Sequence, residues 1–204
     1  MAGGTIDRMT PSITESWIRI ERWLAAYAPA TAAALAPPAE RAAIAAAEEA
    51  MGLSIPDPLV ESVLRHDGTG HRVLLPPFWM LLSTQRMVDT WRIRTKIHGS
   101  DPEPPDHEDE DPEADFGPWW HRQWIPFAAD GCGDELVLDQ RPTTRRGRVG
   151  SADHEQGCFF ERHSMWASLP VLFDLSATAM ETGEVLDYYE RVVTPEGELD
   201  WEIL

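Results

Sequence analysis

WIPFAADGCGDELVLDQRP, residues 124–142, carries the clearest strand–turn–strand signal in the chain. Trp124, Ile125 and Phe127 form an apolar, β-prone run, with Pro126 at an edge or entry position. The cluster Asp130-Gly131-Cys132-Gly133-Asp134 then reads as a tight turn, in which Gly131, Gly133 and Asp134 have a structural role. Leu136-Val137-Leu138 is short, continuous and bounded by turn residues, the pattern of a strand buried on both faces. Two strands alone are marginal in water, so the segments on either side are expected to cover this hairpin.

Those segments read mainly as helices. Ser12 with Glu15 makes a capping box, and Ile13, Trp17, Ile20, Leu24 and Tyr27 follow at helical spacing until Pro29. A second helix is expected from Pro37-Pro38 through Ile44, Ala47 and Met51, stopping at Gly52. A third runs from Pro58 to about His66, ahead of Asp67-Gly68. Trp79 to Leu82 reads as a strand. Thr84 to Ile97 reads as a helix burying Met87, Val88 and Trp91 and turning Arg86, Arg92 and Lys96 outward. Beyond the hairpin, Arg148–Gly150 and Cys158–Phe160 are candidate strands, with the basic turn around Arg141, Arg145, Arg146 and Arg148 read as solvated. Ser164 is the expected cap of a last helix carrying Trp166, Leu169, Leu172, Phe173, Leu175 and Met180, which Gly183 stops. Val185 to Leu204 reads as a hairpin across Pro195-Glu196-Gly197. The sum is a single α+β domain over residues 12–204, its mostly antiparallel or mixed sheet flanked by helices. Residues 1–11 show no periodicity and are expected to be disordered.

The net charge is −18, and it is unevenly placed. Residues 101–115 hold nine carboxylates and neither Lys nor Arg. With five prolines and no aliphatic periodicity, residues 98–118 are expected to be a long, flexible acidic insertion. A chain of this charge repels nucleic acid and anionic membrane surfaces and attracts basic partners. Asp106, Glu108, Asp109, Glu110, Asp111, Glu113 and Asp115 are the candidate steering residues. Trp119 and Trp120 flank them as candidate anchors, one expected at the surface and one in the core. No run approaches the length of a membrane-spanning helix, and MAGGTIDRMT lacks the apolar region of a signal peptide. Two cysteines, Cys132 and Cys158, give neither a disulfide framework nor zinc spacing, and fit reduced thiols in the cytoplasm.

Catalytic constellations are poorly supported. Cys132 with His154 could make a nucleophile–base pair, but the sequence surroundings of known cysteine nucleophiles are missing. Asp153-His154-Glu155, and His66-Asp67 with His71, lack convergent metal-ligand spacing. The acidic run lacks the glycine of a calcium loop, and Gly131-x-Gly133 joins two strands where a phosphate cradle would open a helix. A non-enzymatic protein-binding module, without cofactor or metal, is the expectation.

Residues 44–68, IAAAEEAMGLSIPDPLVESVLRHDG, resemble the opening of SUKH-superfamily domains, which are related to the fungal cell-wall-synthesis regulators. The matching positions are Glu48, Gly52, Pro56, Asp67 and Gly68. Pro126, Phe127, Gly131, Gly133 and Asp134, with the strand through Leu138, resemble that family's central turn. Val149-Gly150, His154-Glu155 and Ser164 to Leu169 match its next strand, turn and terminal helix. The resemblance implies an α+β fold with no known enzymatic chemistry. It further implies either an immunity protein that neutralises a polymorphic toxin, often a nuclease, or a regulatory interaction module. Sixteen Arg against one Lys points to the bacterial, immunity branch.

Overall fold

The computed structural model describes residues 11–99, 118–143, 146–160 and 167–204. Among the described residues, six helices and two antiparallel sheets make one α+β domain. The helices are α1 (Ile13–Tyr27), α2 (Pro29–Ala34), α3 (Arg41–Met51), α4 (Asp57–Val63), α5 (Thr84–His98) and α6 (Leu169–Thr182). The strands are β1 (Met80–Leu81), β2 (Trp124–Ala129), β3 (Glu135–Asp139), β4 (Val149–Asp153), β5 (Gly157–Phe159), β6 (Tyr189–Val193) and β7 (Leu199–Ile203). The main sheet runs in the order β1-β2-β3-β4-β5, and β6 pairs with β7 alone.

The central hairpin organises this arrangement. β2 pairs with β3 from Trp124↔Asp139 to Ala129↔Glu135, with a register shift between Pro126 and Ala128. Every residue of β3 is buried, because both faces of the sheet are covered. On one face Ile125, Phe127, Leu136, Leu138 and Val149 join the main core with the helices. On the other, Trp124, Val137, Ala152, Cys158 and Phe160 form a second cluster closed by Trp120. Alternation along β2 and β3 thus feeds two cores from one hairpin.

Helix α1 begins as its sequence dictates: Ser12 and Glu15 complete the capping box. It lies against α6, where Arg19 reaches Asp174 at 2.5 Å and Glu181 at 2.7 Å. Trp17 is fully buried between α4 and α6, its Nε1 donating to Ser62 Oγ at 3.0 Å and its ring meeting Phe173 edge-on.

Several boundaries differ from the sequence reading. Tyr27 is exposed and Trp23 takes the buried position, since the apolar stripe drifts around a 15-residue helix. Pro29 opens α2 as well as closing α1, its missing N–H costing nothing in a first turn. The next helix starts at Arg41 rather than at Pro37-Pro38. The last helix is capped by Ser168, which accepts from the Val171 N–H, so Pro170 falls in its first turn. Ser164 and Trp166 lie outside the described residues, as do most of the N-terminus (1–10) and of the acidic insertion (100–117).

Candidate functional site

The β2–β3 turn meets α5 and the β4–β5 turn at one rim of the sheet. Asp130 shapes the turn: its Oδ1 accepts the backbone N–H groups of Cys132, Gly133 and Asp134 at 2.8, 3.1 and 2.9 Å. One side-chain oxygen thereby does what a ladder partner would do in a strand. Gly131 and Gly133 both have positive φ, 86° and 126°, as the turn demands. A Cβ on Gly133 would come 3.4 Å from the His154 ring.

Asp134 ties this turn to the next one. Its Oδ1 accepts from the His154 backbone N–H at 2.9 Å and lies 2.6 Å from His154 Nδ1. That hydrogen bond to a carboxylate raises the His154 pKa above its ordinary value. Asp153 caps the β4–β5 turn itself, accepting from Glu155 and Gln156. On the helix side, Arg94 donates Nε to Glu135 at 2.9 Å and also bonds the Gly133 carbonyl. Burial nevertheless pushes the Glu135 carboxyl above its usual range, outweighing the guanidinium beside it.

The Cys132–His154 pair does not assemble as a catalytic dyad. Cys132 is exposed, while His154 Nδ1 faces Asp134 and its Nε2 lies 3.9 Å from Glu155. Asp134, Asp153 and His154 bring one ligand atom each to within 4.8 Å of one another, and could hold a metal. The sequence reading considered Asp153-His154-Glu155 and missed Asp134, which reaches the group only through cross-strand pairing of β3 with β4. Hydrogen bonds within the turns already engage all three. His66, Asp67 and His71 do not converge. His66 spans the Ala36 carbonyl and Glu21, and Asp67 accepts from Thr84.

Of the candidate anchors, Trp119 is 39% exposed and stacks on His98 at the end of α5, 6.1 Å away and 4° from parallel. Trp120 is buried, donates Nε1 to Thr95 Oγ1 at 3.1 Å and meets Trp124 edge-on. One surface and one core tryptophan is the expected division. The seven steering carboxylates, Asp106 to Asp115, lie outside the described residues. Arg141 corrects the picture of a solvated basic turn: it is buried, pairs with Asp139 at 2.7 Å and lies 5.3 Å from the Trp124 ring.

A cavity lined by Leu59, Ser62, His66, Phe127, Leu169 and Phe173, among others, holds about 10 Å³, room for one water. Small-molecule sites run to roughly 300–1,000 Å³. The rim is instead a set of tied turns, and it lies within the stretch that matches a known family: the model of the SMI1 / KNR4 family (SUKH-1) matches residues 38–189. The chain belongs to the SUKH-1 family. A search of the curated proteins found no match. The SUKH-1 match takes in α3 through α6 and stops at the first residue of β6, leaving α1, α2 and nearly all of the C-terminal hairpin outside it. Among the described residues no helix is long and apolar enough to cross a membrane.

Proposed function

We propose that this SUKH-1 protein is a non-enzymatic protein-binding module, a cytoplasmic immunity protein that neutralises a basic toxin domain. One observation carries the reading: nine carboxylates unrelieved by Lys or Arg fall within residues 101–115 of a chain with net charge −18. Clustered carboxylates speed encounter with a cationic surface and can stand in for a phosphate backbone before a nuclease. Asp106, Glu108, Asp109, Glu110, Asp111, Glu113 and Asp115 steer the partner, and Trp119 beside them supplies an apolar anchor. Trp120, being buried, packs in the second core next to that anchor.

The test is capture of partners from native lysate at low and high salt, with the intact chain and with residues 101–115 replaced by a Gly/Ser linker. Loss of a basic partner at high salt and with the linker is expected, because screening shortens the reach of exposed charges. A basic partner held equally under all conditions would remove the acidic run from the interface. A housekeeping partner in place of a toxin would favour the family's regulatory role.

A further inference from the structure

The β6–β7 hairpin is fixed to the body through one face. Leu199 and Trp201 are buried there, with Trp201 Nε1 donating to the Leu74 carbonyl at 3.3 Å. The Leu199 N–H donates to Thr31 Oγ1 at 2.8 Å, and the Ala30 N–H to the Gly197 carbonyl at 2.9 Å. From β6, Arg191 donates Nε to the Met180 carbonyl at 2.7 Å and lies 5.1 Å from the Trp23 ring. At the turn end, Arg72 and Glu198 pair at 2.5 Å.

Strand alternation turns Asp200 and Glu202 to the opposite, outer face. Register places Glu190 directly across from Glu202, and Val192 across from Asp200. Opposed side chains in such a pair have Cβ atoms about 4.5–5.5 Å apart, and like charges there are destabilising. Among the described residues neither glutamate is in an ion pair. The same face carries a second, independent feature. Tyr188 and Leu204, joined by a bond from the Leu204 N–H to the Tyr188 carbonyl, are 63% and 66% exposed. A rigidly held platform thus presents an aromatic and an aliphatic side chain next to carboxylates that repel each other.

We propose that the outer face of β6–β7 docks a cationic segment of a protein partner. One arginine or lysine enters between Glu190 and Glu202, and apolar residues flanking it cover Tyr188 and Leu204. This rests on the reading of a basic protein partner and gives it a folded contact separate from residues 101–115. A guanidinium there converts repulsion into two charge-assisted bonds. The clamped hairpin loses little freedom on binding, which favours affinity. The SUKH-1 match ends at residue 189, so all but the first residue of this hairpin lies outside it.

The experiment uses the full chain and, as probe, a synthetic peptide alternating Arg with Leu and Val, with binding mapped by amide NMR shifts. Expected are shifts concentrated at residues 188–192 and 200–204, unchanged by the Gly/Ser replacement of 101–115. Glu190→Gln with Glu202→Gln should weaken binding at least tenfold while raising the melting temperature by up to about 4 °C, since the repulsion is gone. A double variant that binds as tightly, a peptide that leaves the hairpin unshifted, or shifts that vanish with the linker would each overturn the proposal. Salt-sensitive capture of a basic partner alongside an unshifted hairpin would sink this surface and leave the basic-partner reading standing. Hairpin shifts with no basic partner captured would do the reverse.

Discussion

Gly150 of β4 lies directly under the ring of Phe160: a Cβ built there would come 2.6 Å from Cε1 and 2.8 Å from Cζ. The ring also meets Trp124 edge-on at 5.5 Å, so it cannot retreat without disturbing the second core. Gly150→Ala should therefore destabilise the protein by about 1–3 kcal/mol through overpacking. Chemical denaturation measures this, and Phe160→Leu in the same chain should recover part of the loss. Equal stability of Gly150→Ala and the parent would show that the ring has room to move.

Arg94 and Glu135 make the second prediction. Their side chains are 15% and 10% exposed and pair at 2.5 Å, joining α5 to β3. Arg94→Ala leaves a buried carboxylate uncompensated and should cost about 3 kcal/mol, whereas Glu135→Gln should cost less. Because burial raises the Glu135 pKa, the folded state binds this proton more tightly than the unfolded one. Its contribution to stability is present below the unfolded carboxyl value and is lost as pH rises through the raised one. Arg94→Ala should widen that window, so its deficit should shrink on acidification. Denaturation of both variants across mildly acidic pH checks the sign.

The tie between His154 and Asp134 has the same sign for a different reason. Here a hydrogen bond to a carboxylate raises the imidazole pKa, so the protonated ring is favoured on folding. The link is fully present below the ordinary histidine value of about 6.5 and fades as pH rises through the raised one. NMR titration should place His154 above that ordinary value, and Asp134→Asn should bring it back. A His154 midpoint unmoved by Asp134→Asn would assign the shift to another cause.

Much of this architecture is readable where a single local rule decides. The capping box at Ser12, the turn at Asp130–Asp134 and the all-buried run of β3 each depend on residues close in sequence. The family resemblance rests on short motifs of the same kind, among them the turn at Asp130–Asp134 and the strand through Leu138, and both lie within the SUKH-1 match over residues 38–189. What sequence could not supply is contact between distant segments. Asp134 meets His154 across 20 residues, and Arg94 meets Glu135 across 41. Arg141 looks like a solvated turn residue until the fold sets its guanidinium against the rings of Trp124 and Phe160. Glu190 and Glu202 likewise look like ordinary surface acids until the hairpin register opposes them.

Trp119 and Trp120 are neighbours in sequence with opposite duties. Trp120→Ala removes a buried indole from the second core, where its Nε1 bonds Thr95, and should cost about 3–5 kcal/mol. Trp119→Ala leaves that core intact and should move stability far less, since the ring is partly exposed over His98. If Trp119 anchors the partner, its substitution should speed dissociation while barely changing the association rate, because anchors act on lifetime and charges on encounter. Neutralising the carboxylates of 101–115 should do the opposite, slowing association most at low salt. Surface-binding kinetics on the two variants separate these roles: a Trp119→Ala chain that dissociates no faster than the parent would move the anchor elsewhere.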